Sequence, residues 1–387
     1  MTKLEKLIQE LCPEGVEYKE ISEVTNYEQP SKYIVKSTAY RDEYEIPVLT
    51  AGQSFVLGYT DESDGVYPAS KATPVIIFDD FTAAFKWVVF PFKVKSSAMK
   101  IITAKEDSLL IRFLFHWMGV LNYSSTEHTR LWIGTYSKFR IPVPPLPVQR
   151  EIVRILDNFT ELTAELTAEL TARKKQYEFY RDKLLDFAGN TDVKNVPLGD
   201  IAKFVYGYTD KAKETGSVRF VRITDISEDG RLNPYDAKYV ELTDESKKYL
   251  LKKGDLLLAR TGATYGKTLY FEEDEPAVYA SFLIKIILDN SVIKNRYYWH
   301  FSKSSLYWEQ AERYVSKGGQ QQFNTNAVSR VIVPIPSLEV QDRIIYVLDN
   351  FDAICTDLSS GLPAEIEARQ KQYEYYRDKL LSFEEKI

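Results

Sequence analysis

The sequence predicts an α+β chain in which two strand-rich globular domains alternate with two long helical arms. Three observations carry that expectation. The chain has 387 residues, enough for two or three domains at roughly 150 residues each. Two stretches near the middle are repeated near the C-terminus. The segments between the repeats break into short runs of Val, Ile, Phe and Tyr bounded by Gly, Pro, Asp and Asn, the pattern of short strands and turns. Apolar residues at 44% and charged residues at 27% exclude collagen-like, disulfide-scaffold and disordered classes and leave material for two cores.

In chain order, the first globular segment precedes the first arm. Its Val16–Val24 (VEYKEISEV) aligns with Val196–Phe204 (VPLGDIAKF), and its Pro74–Lys86 (PVIIFDDFTAAFK) with Asp255–Lys267 (DLLLARTGATYGK). Each of the latter is an apolar run, a polar turn and a Lys at the same distance. The two globular segments therefore read as diverged copies of one domain.

The arms are far more alike. Ile141–Phe159 (IPVPPLPVQREIVRILDNF) matches Val333–Phe351 (VPIPSLEVQDRIIYVLDNF) at 10 of 19 positions, and Ala172–Phe187 (ARKKQYEFYRDKLLDF) matches Ala368–Phe383 (ARQKQYEYYRDKLLSF) at 13 of 16. Two copies make a duplication and not a solenoid. Pro142, Pro144, Pro145 and Pro147 form an extended lead-in. Ile152, Ile155, Phe159, Leu162 and Leu166 then recur at helical spacing, resumed by Tyr177, Tyr180, Leu184 and Phe187. The spacing predicts one helix from Val148 to Phe187, about 60 Å long, stopped by Gly189 and Asn190. In the second arm, Ser359, Ser360, Gly361 and Pro363 interrupt the pattern. There the expectation is a helix to about Asp357 and another from about Ala364. The domain boundaries follow: 1–147, first globular domain; 148–190, central arm; 191–339, second globular domain; 340–387, C-terminal arm.

Several chemistries are excluded. Cys12 and Cys355 with His116, His128 and His300 offer no metal-ligand spacing, and the low Cys count fits a reducing, cytoplasmic setting. The start, MTKLEKLIQELC, lacks a signal peptide's apolar run. The apolar stretch Ala277–Leu288 holds Lys285 and is too short to span a bilayer. Gly262 to Thr268 (GATYGKT) has three residues between its glycines where a phosphate loop needs four, so a turn between strands is expected. Asn233-Pro234-Tyr235 lacks the second Pro of an amino-methyltransferase motif, and no G-x-S-x-G elbow occurs. Asp79 and Asp80 read as a turn, not as an acid–base pair. No catalytic site, metal or cofactor is expected in this chain. The net charge is −6, and no segment is strongly basic. Charge alone gives no case for nucleic acid, though it permits a local patch.

Two strand-rich domains alternating with long helices that end in QYEFYRDKLL and QYEYYRDKLL resemble the specificity subunit of type I restriction–modification enzymes. The arm starts fit that family's conserved regions. TELTAELTAELTA, from Thr160 to Ala172, looks like the central repeat of its IC type. Tyr27–Thr103 (with YEQPSKYIV, IPVLTAGQSFVLGYTDES, ASKATPVIIFDDFTAAFKWV and KSSAMKIIT) looks like a target-recognition domain, and GDLLLARTGATYGK with GGQQQFNTNAVSRVIVPIPS looks like the second one. The resemblance covers nearly the whole chain. It implies that each domain docks on one half of a bipartite, asymmetric site in double-stranded DNA, and that the arms pair as an antiparallel coiled coil that spaces the halves. It also implies two modification (methyltransferase) subunits that carry S-adenosylmethionine-dependent adenine methylation. Restriction (translocase/nuclease) subunits, using ATP and Mg, would cleave. The rival readings are a single-chain DNA-modifying enzyme and a coiled-coil scaffold without nucleic acid.

Base readout needs Arg or Lys for guanine and Gln or Asn for adenine. The candidates are Gln53, Ser54, Lys71, Lys86, His128 and Arg130 in the first domain, and Arg260, Lys267, Lys317, Gln320, Gln321, Gln322 and Asn324 in the second. The alternative for each is an ordinary solvated loop residue. On the arms, Tyr177, Tyr180, Arg181, Tyr373, Tyr376 and Arg377 are either the buried seam of the arm pair or anchors for a partner.

The tetrapeptide repeat yields a ruler. Leu162, Leu166 and Leu170 stay in register, and one repeat adds about 6 Å of rise and about 40° beyond a full turn. One base pair adds about 3.4 Å and about 35°. Deleting Thr163–Leu166 should therefore shorten the unspecified spacer of the DNA site by one base pair, two at most, with both half-sites unchanged. Methylome sequencing reads the spacer directly, and an unaltered spacer would refute the ruler.

Overall fold

A computed structural model of the chain describes residues 2–50, 54–105, 107–123, 129–316, 321–357 and 360–386. It forms two compact units, Met1–Leu166 with Ile366–Ile387, and Thr167–Glu365. The strands of unit 1 are β1 (Tyr18–Glu20), β2 (Thr25–Glu28), β3 (Ile46–Leu49), β4 (Val56–Thr60), β5 (Val75–Asp79), β6 (Phe85–Val88), β7 (Lys93–Val94), β8 (Met99–Ala104) and β9 (Arg140–Pro142). Those of unit 2 are β10 (Lys194–Pro197), β11 (Ala202–Tyr206), β12 (Val218–Val221), β13 (Tyr239–Val240), β14 (Leu256–Ala259), β15 (Thr268–Tyr270), β16 (Ala277–Tyr279), β17 (Leu283–Leu288) and β18 (Ile332–Ile335). The helices are α1 (Lys3–Leu11), α2 (Ile21–Val24), α3 (Ile111–Leu121), α4 (Leu131–Gly134), α5 (Leu146–Leu185), α6 (Leu198–Ile201), α7 (Asn295–Phe301), α8 (Ser305–Tyr314), α9 (Thr325–Val328), α10 (Leu338–Thr356) and α11 (Leu362–Leu380).

The two units repeat one topology. A four-stranded sheet runs β2-β8-β5-β6 in unit 1 and β11-β17-β14-β15 in unit 2. A three-stranded sheet runs β4-β3-β7 and β13-β12-β16, with one parallel pair in each. A two-stranded ribbon, β1-β9 or β10-β18, closes the globular part just before the arm. Pro142 and Pro334 lie in these ribbons, where each strand is an edge and a missing N–H is tolerated. The central strands explain the apolar runs: every residue of β5 (VIIFD) and of β14 (LLLA) is buried, as expected for strands covered on both faces.

Each unit is completed by two helix segments, and they come from different arms. Val148, Ile152 and Leu156 of α5 enter the core of unit 1, joined by Leu381, with Tyr373, Leu380 and Phe383 packed against it. Tyr177 and Leu185, from the far end of α5, enter the core of unit 2 with Ile344 and Leu348 of α10. So the start of each arm packs with the end of the other. Phe159 stacks on Tyr376 at 5.3 Å in unit 1, and Tyr180 on Phe351 at 5.5 Å in unit 2. The Cys355 thiol lies in the field of Lys174 and Arg173. Sequence number thus rises along α5 as it falls along α10, which makes the pairing antiparallel.

The helix ends differ slightly from expectation. α5 stops at Leu185, and Phe187 turns back against the core of unit 2. Gly189 follows in the left-handed region at φ +80°. α10 ends at Thr356 and α11 starts at Leu362. A Cβ on Gly361 would lie 2.7 Å from the carbonyl oxygen of Asp357, so that position needs glycine.

A polar junction repeats where each arm meets its domain. The Gln149 carboxamide accepts from the Leu110 amide at 2.8 Å and donates to the Ser108 and Pro144 carbonyls at 2.8 and 2.7 Å. Gln341 does the same with the Lys294 amide and the Val292 and Pro336 carbonyls, all at 2.9 Å. Both glutamines are fully buried, so these bonds satisfy groups that burial would otherwise strand. Beside them, Arg112 Nε and His116 Nε2, one turn apart on α3, reach Asp157 Oδ1 at 2.7 and 2.8 Å. His116 Nδ1 faces the Tyr373 hydroxyl at 3.0 Å. In unit 2, Arg296 Nε and His300 Nε2 reach Asp349 Oδ1, each at 2.7 Å, and His300 Nδ1 faces the Tyr177 hydroxyl at 3.1 Å.

These partners fix the histidine tautomer: Nε2–H donates to the carboxylate and Nδ1 accepts from the tyrosine. Burial pushes His116 down, and pushes His300 down to about 4, against the pull of the paired carboxylates. Between that value and the ordinary 6.5 or so, only the unfolded chain takes up the proton. The stability contributed by neutral His300 is therefore fully present above about pH 6.5 and is lost as pH falls toward 4. We expect unit 2 to lose about 2 kcal/mol of stability between pH 7 and pH 5 from this group alone. In denaturation curves across that range, His300→Gln should flatten the slope, and an unchanged slope would contradict a neutral buried imidazole.

Candidate nucleic-acid interface

In unit 2 the structure gathers part of the candidate set on one loop cluster. The hairpin between β14 and β15 carries Arg260. The Phe323 amide donates to the Arg260 carbonyl at 2.7 Å, and the Gly262 amide to the Gln321 carbonyl at 3.3 Å. Gln322 bridges in antiparallel fashion to both Thr261 and Ser316. Gln321 and Gln322 are exposed beside this hairpin. Asn324 is committed locally: its carboxamide oxygen caps α9 by accepting from the Ala327 amide at 3.1 Å.

The Arg260 guanidinium lies over the Tyr206 and Phe282 rings at 5.3 and 5.5 Å, and its Nε donates to the Ser281 carbonyl at 3.1 Å. Its terminal nitrogens donate to no acceptor among the described residues. A fork oriented in this way suits two-point bonding to a guanine edge or to a phosphate. Tyr206 and Phe282 are 40% and 49% exposed and were not among the sequence candidates. Phe282 sits in the apolar Ala277–Leu288 stretch and reads there as core. Only its place between the ends of β16 and β17 distinguishes it.

Lys267 faces elsewhere. It lines a cavity of about 360 Å³ with Lys174, Arg181, Lys303 and Asp352. There burial pushes the Lys303 ammonium down to about 8 against the pull of Asp352. The Gly262–Thr268 loop joins two antiparallel strands, with Gly262 and Gly266 at φ +70° and +80°. A phosphate loop opens a helix, so this is the turn that its short glycine spacing implies.

In unit 1, Ser54, Lys71, Lys86 and Arg130 are all exposed, and no hydrogen bond or ion pair joins any two of them. Lys86 lies on the edge strand β6. Lys71 borders a depression with Trp87 and Arg112. Arg130 precedes α4. The backbone frame nevertheless matches unit 2. The Leu131 amide donates to the Asp80 carbonyl at 2.8 Å, as Phe323 does to Arg260. Leu131 and Phe323 are both buried, so Arg130 and Gln322 hold equivalent exposed positions just before them. Where unit 2 has Arg260, unit 1 has buried Asp80, one position beyond the Asp79 that the sequence alignment sets opposite Arg260; Asp80 accepts from the Trp132 amide at 2.9 Å and pairs with Lys100 at 3.1 Å. Asp79 accepts from the Phe81 and Thr82 amides. Both acids hold the turn. Gln53, His128, Lys317 and Gln320 lie outside the described residues.

The arm candidates divide. Tyr177 is 8% exposed and Tyr373 half-buried, with their hydroxyls on the histidines. Arg181 and Arg377 pair with Asp182 and Asp378 beside them, Arg377 lying against Gly119. Tyr180 and Tyr376 stay exposed at their edges, 38% and 37%. Among the described residues no group of His, Cys, Asp or Glu gathers as a metal site. No helix there is long and apolar enough to cross a membrane.

The sequence matches the family described as type I restriction modification DNA specificity domain twice, over residues 13–173 and 190–368. The chain belongs to this family. It is 40% identical to the EcoR124I/EcoR124II specificity subunit of Escherichia coli over 99% of this chain and 97% of that one. It is 33% identical to a putative type I specificity subunit of Haemophilus influenzae over 99% and 98%. The fold is shared with the type I S subunit from M. genitalium, at TM-score 0.59 and 15% identity over 95% of this chain and 96% of that one. It is shared too with a chain from a structural study of type I R-M complex assembly and conformational transition, at TM-score 0.57 and 18% identity over 96% and 98%.

If the loop cluster meets DNA, Arg260→Ala and Gln322→Ala should each relax recognition at one half-site, by about tenfold or more per lost two-point contact. Fluorescence anisotropy with cognate and single-substituted duplexes would measure this. Equal discrimination by native and variant chains would remove the cluster from the interface.

Proposed function

We propose that this chain is a non-catalytic DNA-specificity subunit that reads a bipartite, asymmetric site in double-stranded DNA and directs the adenine methylation and restriction carried out by partner subunits. The domain within 1–147 reads one half-site and the domain within 191–339 the other. The arms, 148–190 and 340–387, space them in the manner of the IC type. The observation that carries this reading is one backbone frame used twice with different side chains at its tip: Asp80 and Arg130 in unit 1, Arg260 and Gln322 in unit 2. A shared scaffold with diverged tips is what two different half-sites require, because phosphate contacts position a protein while base-edge contacts specify the sequence.

The arms, alike where the domains are not, present similar surfaces to two copies of a modification subunit. That partner supplies S-adenosylmethionine chemistry, and restriction subunits supply ATP- and Mg-dependent cleavage. The negative total charge fits an assembly in which partners share the phosphate contacts. The cytoplasm, where the host DNA lies, is the compartment this reading requires.

The test is domain exchange. Replacing 1–140 by the same segment of another such subunit should change one half of the methylated motif and leave the other intact, as read by methylome sequencing. A change in both halves would refute independent reading.

A further inference from the structure

Unit 2 holds a cavity that the duplication does not explain. Its volume is about 360 Å³, and it lies among the ends of α5 and α10, the turn after α7 and the hairpin between β14 and β15. Unit 1 is built differently at the matching positions. Three residues beyond His116 and Asp157 stand Gly119 and Thr160, whereas three beyond His300 and Asp349 stand Lys303 and Asp352. In unit 1 the Arg377 guanidinium lies 3.2 Å from where a Cβ on Gly119 would be. In unit 2 the Lys303 side chain begins at that place, and Arg181, the counterpart of Arg377, lines the cavity. The Lys303–Asp352 pair is therefore private to unit 2.

The inner wall carries more positive charge than its own acids cancel. Buried Asp352 serves two cations, Arg231 at 2.5 Å and Lys303 at 3.3 Å. Asp229 reaches Arg231 only at 3.9 Å. Buried Arg181 pairs with Asp182, outside the lining, and half-buried Lys267 has no acid within 4 Å among the described residues. Lys174, Glu178 and Glu228 also border the cavity but are exposed, so water and salt screen them. The buried Thr268 hydroxyl makes no hydrogen bond, because its neighbour, the Tyr307 hydroxyl, donates to the Gly266 carbonyl at 2.9 Å. Uncancelled charge away from water is costly, and burial with Arg231 nearby holds the Lys303 ammonium down.

These features call for an anion. Cations from three separate elements, Arg181 on α5, Lys267 on the hairpin and Lys303 after α7, surround a tetrahedral dianion better than a planar carboxylate, which one guanidinium fork satisfies. A bare oxyanion would leave much of the space empty. The volume is that of a small-molecule site, and Trp308 and Gly230 give the remaining wall an apolar face. We propose that this cavity binds a small phosphorylated metabolite, its phosphoryl group held by Lys267, Lys303 and Arg181 and its organic part against Trp308. At pH 8 the Lys303 amine is about half protonated. A bound phosphate favours the ammonium form, so binding draws protons from the buffer. It also ties α5 and the hairpin to one ligand and raises the thermal midpoint.

The experiment uses the full chain and titration calorimetry at pH 8 in two buffers of different ionisation enthalpy. The probes are inorganic phosphate, ribose 5-phosphate and adenosine 5′-monophosphate, with adenosine as the uncharged control. One equivalent of a phosphate ester should bind per chain, more tightly than inorganic phosphate and with net proton uptake, and adenosine should not bind. Lys267→Gln, which has no ion pair to lose, should weaken ester binding at least about tenfold and keep the uptake. Lys303→Met should weaken binding and abolish the uptake, a readout that a merely structural lysine would not move. No saturable binding by any of the three phosphates would overturn the proposal, as would inorganic phosphate binding as tightly as both esters. Native affinity in Lys267→Gln would place the ester elsewhere and overturn it too, even if Lys303→Met failed to fold. Displacement of the ester by duplex DNA would assign these cations to the nucleic-acid interface and overturn it as well.

Discussion

Everything the two domains do depends on how rigidly each is fixed to its helices, and a buried polar junction does the fixing. Gln149 and Gln341 each satisfy one amide and two carbonyls inside the core. Lost bonds there would leave buried groups unpaired, at about 1–3 kcal/mol each. The arginine–histidine–aspartate–tyrosine sets beside them add a second constraint, because each reaches a helix from either arm. A base-reading loop works only if its side chains return to the same place, since contacts to base edges are short and directional. An apolar junction would allow sliding; a fully bonded polar one has a single register.

The sequence showed the duplication, the arms and their helical stripes, because periodicity reports which face of a segment is buried. It did not show against what. Tyr177 and Tyr373 fall on the arm stripe, and the pattern allows either a seam between arms or a docking surface. They instead hydrogen-bond histidines of the domains, and the end of each arm belongs to the unit opposite the one its own start completes. His116 and His300 carried no signal as isolated residues. Their role appears only when Asp157 and Asp349 are brought in from 41 and 49 positions away. Phe282 was hidden for a related reason: an apolar run does not say which of its members sits at a turn.

The candidates for base contact show the same limit. Arg260, Gln321 and Gln322 were legible as residue types, and the fold brings them together because the Phe323 amide anchors one loop to the other. Lys267 is only seven residues from Arg260, yet it faces a different cavity, since a tight turn reverses the chain between them. Asn324 has the chemistry for adenine, but its oxygen caps α9. Unit 1 repeats the anchor and not the side chains. The backbone anchor is thus shared while the side chains at the loop tip differ.

That arrangement sets the terms on which one domain can replace another. The glutamines read backbone groups, the amides of Leu110 and Lys294 and the carbonyls of Ser108 and Val292, so they accept any incoming sequence that keeps the local chain path. The histidine sets read side chains. An incoming domain without a residue equivalent to His116 would leave the Asp157 carboxylate without its imidazole donor and the Tyr373 hydroxyl without an acceptor, a partly satisfied network of the kind that costs most. Two residues one helical turn apart, Arg112 and His116 or Arg296 and His300, are therefore the side-chain signature a domain must carry to be accepted. The loops proposed to meet DNA, which lie on other elements, remain free to change.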